Sequence, residues 1–249
     1  MSAAPLDLTL SVIVPAFNEA PTIEAVVRRL REVPLRIEIV AVDDASSDGT
    51  GEILDRLGQG PGSERLVDRV VHHPKNRGKG AALRSGIAAA TGDVIVVQDA
   101  DLEYDPGDLP ALLAPIRQGR ADAVYGSRFQ GGPHRVLFYW HAVGNRFLTL
   151  MSNMFTNLNL TDMETCYKLV RADLLKRLPL SSDRFGFEVE ITARLSQVGA
   201  RIWELPITYS GRTYAEGKKI TWRDGLAAVL HILRYNLFPP GGDWRKIRP

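Results

Sequence analysis

The run Val94-Ile-Val-Val97, followed by Gln98-Asp99-Ala-Asp101-Leu-Glu103, constrains this chain more than any other segment. Four consecutive apolar residues fit an interior strand of a parallel sheet, which is covered on both faces. The carboxylates that follow then lie at the strand's C-terminal end, where open α/β sheets bind their ligands. In extended backbone Asp99, Asp101 and Glu103 would point to one side and repel each other unless a cation stood among them. A hard divalent ion, Mg²⁺ or Mn²⁺, suits oxygen ligands of this kind. A solvated acidic loop after a strand would carry the same residues, so the segment has to be weighed with its surroundings.

Those surroundings alternate between strand and helix patterns. Strands are expected at Leu10–Pro15, Ile37–Val42, Leu66–His72 and Asp93–Val97, with helices at Thr22–Arg31, Gly49–Leu57 and Gly80–Ala90 between them. A mostly parallel sheet flanked by helices follows, an α/β fold. Three strand ends then carry polar residues at one edge: Phe17-Asn18-Glu19, Asp43-Asp44 and Asp99-Ala-Asp101. The second half is less regular, with strands expected at Ala121–Tyr125 and Arg201–Ile207 and helices at Tyr139–Thr156 and Glu188–Val198. From Thr221 to Phe238, apolar residues recur at helical spacing, as in an amphipathic helix rather than a membrane span. Pro239-Pro-Gly-Gly and a basic tail follow it, a combination compatible with lying on an anionic membrane surface and equally with packing on protein.

With 249 residues, 45% hydrophobic and 24% charged, the chain can bury one large α/β core. A formal charge of +2, with no basic block interleaved with aromatics before the tail, argues against nucleic acid as a partner. The single cysteine, Cys166, rules out an internal disulfide and a cysteine-based zinc site. A reducing compartment fits, so the expected location is cytoplasmic, either free or peripheral on the inner face of the membrane. His72 and His73 close a strand with no further His at metal spacing and read as satisfied polar residues.

A cation held by carboxylates at a sheet edge is placed to bridge nucleotide phosphates and neutralise a departing diphosphate. Neither the Gly-x-x-x-x-Gly-Lys-Ser/Thr cradle nor a Gly-x-Gly-x-x-Gly after the first strand occurs, so the strand ends must hold the nucleotide. Asp43 or Asp44 would accept hydrogen bonds from a base or ribose. Ser46, Asp48 and Thr50 fit a bland use, capping the following helix, as well as a ligand role.

Taken in order, Val14-Pro-Ala-Phe-Asn-Glu19, Val42-Asp-Asp-Ala-Ser-Ser-Asp-Gly-Thr50, Asn76-Arg-Gly-Lys-Gly80, Asp99-Ala-Asp101, Gly126-Ser-Arg128 and Gly211-Arg-…-Lys218-Lys-Ile220 resemble the inverting family-2 glycosyltransferases of GT-A fold. Within them the chain is similar to the dolichol-phosphate mannose synthase and polyprenyl-phosphate glucosyltransferase branch. The resemblance implies a catalytic domain over 1–220, with 221–249 as amphipathic helix and basic tail. It implies that Pro15, Phe17, Glu19 and Asp44 line the nucleotide pocket, with Asp43 close by and Lys79 also on the donor. Asp99 and Asp101 would face the sugar diphosphate and the metal, with Asp101 counted as catalytic. Glu103 would complete the metal set where mannose synthases carry a Gln. Arg128 and Arg146 would grip the acceptor phosphate, and Leu150 stands where a Ser assists them. Arg212 and Lys218 would lie on a loop closing over the donor diphosphate.

The implied reaction moves a hexose from GDP-mannose or UDP-glucose to a polyprenyl or dolichyl phosphate. A lipid phosphate, with a second pKa of roughly 6, is already a nucleophile at neutral pH and needs no general base. A hydroxyl acceptor would need one. Asp162 stands where other family-2 enzymes place that base, so it is either the base or an organiser of Arg128 and Arg146, and the organiser is favoured. The Gln-x-x-Arg-Trp signature of processive synthases is absent. A nucleotide-sugar-binding protein without turnover is the remaining alternative.

Overall fold

The computed structural model describes residues 7–136, 138–184, 186–213 and 222–247. In chain order the elements are β1 (Leu10–Ala16), α1 (Ile23–Glu32), β2 (Ile37–Asp43), α2 (Thr50–Leu57), β3 (Arg69–His72), α3 (Lys79–Ala89), β4 (Val94–Val97), α4 (Leu109–Arg117), β5 (Ala123–Ser127), α5 (Tyr139–Thr156), β6 (Lys168–Arg171), α6 (Ala172–Leu175), α7 (Phe187–Gln197), β7 (Ile202–Pro206) and α8 (Trp222–Leu237). The strands form one sheet in the order β3-β2-β1-β4-β6-β5-β7. The chain steps from β1 outwards to β2 and β3 and then crosses back to β4 on the other side of β1. This reversal makes the C-terminal ends of β1 and β4 the switch point at which a crevice opens.

The expected first half is present with ends moved by one to three residues. α1 is helical for the reason its sequence suggested: Ile23, Val26, Val27 and Leu30 fall on one buried face. The sheet is mostly parallel, as expected, with one reversed strand in its second half. β6 runs antiparallel to both β4 and β5, and β7 returns parallel to β5. β6 is only four residues long and carries no alternation, so periodicity does not mark it. Its reversal matters for the site, because the residues that enter β6, Asp162 to Tyr167, arrive at the same edge as the ends of β4 and β5. α4 also lies outside the sequence expectations: it holds Pro115 in its interior, yet buries Leu109, Leu112, Leu113 and Ile116. Local propensity gives way to tertiary packing there.

α8 is built into the fold. Ile232 and Tyr235 are buried with Met163, Val189 and Ala193, while Leu226, Leu230, Leu237 and Phe238 stay exposed. Among the described residues no helix is long and apolar enough to cross a membrane.

α3 reaches the sheet closely because four of its six buried residues are small, Gly80, Ala81, Ala82 and Gly86, beside Leu83 and Ile87. A Cβ at Gly86 would run into Ile13 Cγ2 of β1 and lie 3.3 Å from Val42 Cγ2 of β2. Gly86→Ala is therefore expected to lower stability by about 1–3 kcal/mol through overpacking, despite alanine's better helix propensity. Urea unfolding of the variant against wild type checks this, and an unchanged midpoint would contradict the close approach.

Candidate active site

The crevice begins with backbone held in an uncommon conformation. Asn18, Ala45 and Leu102, just past the ends of β1, β2 and β4, have φ of 55°, 62° and 63°. Side-chain-bearing residues rarely adopt this left-handed region, and it persists only where the surroundings impose it. Here hydrogen bonds impose it. The Asn18 N–H donates to Ser46 Oγ (3.0 Å), the Ser47 N–H to Asn18 Oδ1 (2.9 Å) and the Glu19 N–H to Thr50 Oγ1 (2.9 Å). Asp48 accepts from the N–H of Ala20 and of Thr50. Ser46, Asp48 and Thr50 thus lace the two loops together rather than capping α2, whose N-cap is Gly49 with no side-chain cap bond. Phe17 is left 43% exposed at the rim beside Pro15.

Asp43 and Asp44 are buried at the end of β2. Asp43 accepts from the Ser46 N–H (3.1 Å) and faces His72 Nδ1 at 3.3 Å. Asp44 meets His73 Nδ1 at 2.6 Å and accepts from the N–H groups of Arg77 and Gly78 at 2.9 and 2.7 Å. Any ligand contact by Asp44 competes with these donors. Its carboxylate shapes the 76–78 turn, and through Gly78 (φ 93°) it sets the start of α3 and hence Lys79. His73 Nε2 in turn meets Ser85 Oγ at 2.8 Å, so the imidazole is satisfied at both nitrogens.

The carboxylates after β4 converge, but not by alternation along a strand. β4 ends at Val97, and a turn through Leu102 replaces the expected extended backbone. Each carboxylate takes a different neighbour. Asp99 pairs with Lys79 Nζ (2.8 Å), which also meets Glu188 (3.1 Å). Asp101 accepts from Arg212 Nη2 (2.9 Å). Glu103 accepts from the Arg212 N–H (2.9 Å) and Nε (3.2 Å) and from the Tyr209 hydroxyl (2.8 Å). Among the described residues no three acidic, His or Cys side chains form a ready metal cage. The expected three-carboxylate set is therefore not preassembled. The charge remains unbalanced: burial, and then the negative charges of Asp99 and Glu103, push the Asp101 pKa up to about 7 against the opposing pull of Arg212. For Lys79, burial works against the charge, but Asp99 and Glu188 hold it protonated.

On the other side of β6, Asp162 is fully buried and bound by Arg128 in a two-pronged pair, Nε to Oδ2 at 2.6 Å and Nη2 to Oδ1 at 2.7 Å. Asn145 donates to the same carboxylate (3.3 Å), and Glu204 of β7 holds the backbone N–H groups of Thr161 and Asp162. Arg146 is exposed, and its guanidinium stands 6.0 Å from the Phe129 ring, which Arg128 approaches to 5.7 Å. Phe129 thus brings the two cations together. Leu150, one turn further along α5, is 59% exposed.

Of the expected side chains, direct contacts join Lys79 with Asp99, Asp101 and Glu103 with Arg212, and Arg128 with Asp162, while Lys218 lies outside the described residues. Sequence reasoning missed the supports: His73, Glu188, Glu204 and Tyr209. Each comes from a separate element and carries no local motif. Only Tyr209 carries a signal, its place past the end of β7 and three residues before Arg212.

Residues 11–178 match Glycosyl transferase family 2. An undecaprenyl-phosphate mannosyltransferase of Micrococcus luteus is 34% identical over 250 residues, covering 95% of this chain and 96% of that protein. A dodecaprenyl-phosphate galacturonate synthase of Rhizobium johnstonii is 30% identical over 246 residues, covering 93% of this chain and 69% of that protein. Among solved structures, glucosyl-3-phosphoglycerate synthase of Mycobacterium tuberculosis, in complex with Mn²⁺, UDP and glucosyl-3-phosphoglycerate, superposes with a TM-score of 0.71 at 22% identity, covering 94% of this chain and 82% of that one. Its complex with Mn²⁺ and UDP-glucose gives 0.70 at 21%, covering 94% and 81%. Fold, strand-end crevice and sequence agree: the chain belongs to the family-2 glycosyltransferases and is a glycosyltransferase of GT-A fold.

Proposed function

We propose that this enzyme moves a hexose from a nucleotide diphosphate sugar to a polyprenyl phosphate, with inversion at the anomeric carbon. The observation that carries the reading is the buried, two-pronged Arg128–Asp162 pair beside the exposed Arg146. A carboxylate sealed this way is poorly placed to take a proton from a hydroxyl acceptor, and two adjacent guanidiniums suit an anionic one. The two relatives, an undecaprenyl-phosphate mannosyltransferase and a dodecaprenyl-phosphate galacturonate synthase, support the same acceptor class.

In the reaction an oxygen of the lipid phosphate attacks the anomeric carbon, and the bond from that carbon to the diphosphate breaks. No proton need be removed at neutral pH. Arg128 and Arg146 orient the attacking phosphate, and Asp162 fixes Arg128. Phe17 and Pro15 offer a rim against which the base packs, while Asp43, Asp44 and Glu19 shape the pocket beneath. Arg212, at the diphosphate side, gives up Asp101 and Glu103 for the donor's phosphates, with Lys218 expected beside it. Asp99 and Asp101 present hard oxygen ligands with a deficit of positive charge, which fits Mg²⁺ or Mn²⁺. Two carboxylates plus a diphosphate are a ligand set Mg²⁺ commonly accepts, with Glu103 within reach of the same ion. The bound ion would neutralise charge developing on the leaving diphosphate.

The prenyl chain has a path. Phe147, Leu150 and Met154 follow Arg146 at helical spacing along α5 and are 54%, 59% and 75% exposed. Leu150 then adds apolar surface where a Ser was anticipated. Tyr139 and Trp140 at the start of α5 and Leu226 and Leu230 on α8 extend the apolar surface, which supports contact with a membrane surface that delivers the lipid.

Radiolabelled GDP-mannose, UDP-glucose, UDP-galactose and UDP-N-acetylglucosamine, each with Mn²⁺ and a short polyprenyl phosphate, test the reaction. Label is expected to enter the organic phase with one donor, and to disappear on chelation or with Asp101→Asn. Release of nucleoside diphosphate without any lipid product would reject the acceptor.

The Arg128–Asp162 pair gives a second test. Arg128→Ala strands a buried carboxylate and should destabilise by ~3–5 kcal/mol, whereas Arg128→Met combined with Asp162→Leu should return close to wild-type stability while lacking transfer to lipid. Denaturant unfolding and turnover of the two variants decide this. Arg128→Ala that still turns over, beside an inactive Asp162→Asn, would instead make Asp162 the base for a hydroxyl acceptor.

A further inference from the structure

Among the described residues four buried side-chain polar atoms have no hydrogen-bond partner: Asn145 Oδ1, Glu164 Oε1, Thr165 Oγ1 and Arg194 Nε. Arg194 lies away from the crevice, with Nη1 donating to Gln197 Oε1 and the Tyr235 carbonyl and Nη2 3.5 Å from Glu190. The other three cluster along the chain and in space around Asp162: Asn145 donates to it, and Glu164 and Thr165 follow it into β6. Buried acceptors left without a donor are uncommon and call for a physical reason. A carboxylate is the costliest of them.

Glu164 sits between the two halves of the site. On one side it experiences the charges of Glu188 and Lys168, and Glu188 is joined through Lys79 to Asp99 on the donor side. On the other side it experiences Arg128 and Asp162. Lys168, the nearby cation best placed to neutralise it, donates instead to the Thr165 carbonyl. Burial, and then Glu188, push the Glu164 pKa up to about 7, so the side chain can accept a hydrogen bond as a carboxylate or donate one as the acid. An anionic occupant would meet Glu164, Glu188 and Asp162 together and be repelled. A neutral polyol meets acceptors for its hydroxyls.

We propose that Glu164 is a specificity residue for the transferred sugar, its unpartnered oxygen taking a hydroxyl of the hexose held between Asp99 and the acceptor arginines. The assignment deepens the reading above and rests on its donor half alone. It accounts for a carboxylate oxygen, Glu164 Oε1, kept out of solvent without a partner on a half-buried side chain, since the sugar supplies the missing donor. A site built to hydrogen-bond a substrate hydroxyl also rejects analogues that lack it, because the buried group is again left unpaired.

The test compares nucleotide with nucleotide sugar, with no lipid present. Calorimetric titration in Mn²⁺ of GDP against GDP-mannose, and of UDP against UDP-glucose, is run on wild type, Glu164→Gln and Glu164→Leu. The Leu variant is expected to bind the bare diphosphate within about twofold of wild type and the cognate sugar nucleotide about tenfold more weakly, the loss expected for one hydrogen bond to a charged group. The Gln variant, which keeps an acceptor, should fall between them. Both variants should melt at or above the wild-type temperature, because an orphaned carboxylate has been removed. Equal weakening of diphosphate and sugar nucleotide, or a lowered melting temperature in both variants, would make Glu164 structural and overturn the assignment. Unchanged sugar-nucleotide affinity in the Leu variant would overturn it as well. Failure of the lipid assay alone leaves these readouts intact and bears on the acceptor only.

Discussion

The site is organised around mutual repulsion at the end of β4. Asp99, Asp101 and Glu103 lie within five residues of one another, and the turn through Leu102 brings them close rather than spreading them. At an effective dielectric of about 20, two unit charges ~5 Å apart repel by roughly 3 kcal/mol, and a third charge raises the sum further. The protein meets this with cations brought from distant parts of the chain. Lys79 comes from the start of α3, and Arg212 from beyond β7. The raised pKa of Asp101 indicates that these cations leave part of the repulsion in place. A diphosphate alone would worsen that imbalance, and a diphosphate carrying a divalent cation relieves it. On the proposed reading, donor and metal would be coupled by charge balance.

The remote cations explain how the fold and the site depend on one another. Lys79 is correctly placed only if α3 begins at residue 79, which Gly78 and the Asp44 carboxylate arrange. α3 can lie against β1 only because Gly86 leaves room for Ile13. Arg212 arrives because β7 is parallel to β5 and so ends at the same edge. Asp162 arrives because β6 is antiparallel and so begins there. The parallel part of the sheet delivers its loops by strand ends, and the single reversed strand delivers its loop by a strand start.

That difference decides what could be read from the residues in order. The first four strands and three helices have strong periodicity, and their boundaries shift only slightly. Asp99 and Asp101 were recognisable because apolar strand and acidic loop adjoin in sequence. β6 carries Lys168-Leu-Val-Arg171 with no alternation, so its reversal could not be read. The protein partners of Asp44 and Glu103 went unread for a related reason. Each has partners more than 25 residues away, His73 and Arg77 in one case and Tyr209 and Arg212 in the other, and no local pattern announces such pairs. Asp162 could be narrowed to two roles because only burial and partners separate an organiser from a base.

Burial of Asp162 and the nature of the acceptor are linked. A general base has to reach its proton, exchange it with solvent and keep a lone pair aimed at the substrate. Asp162 has no exposure, and four donors (the backbone N–H, Nε and Nη2 of Arg128, and Asn145 Nδ2) occupy its oxygens. Such an arrangement suits the proposed acceptor, a nucleophile that arrives already deprotonated. A phosphate monoester meets that condition near neutral pH. The carboxylate can then serve entirely as a fixed counter-charge that stiffens Arg128, and stiffness is what an enzyme relying on positioning requires. On this account the acceptor's own acidity allows the protein to replace a catalytic base with a buried ion pair. The same substitution leaves the Arg146 side of the groove open to whatever apolar chain the phosphate carries.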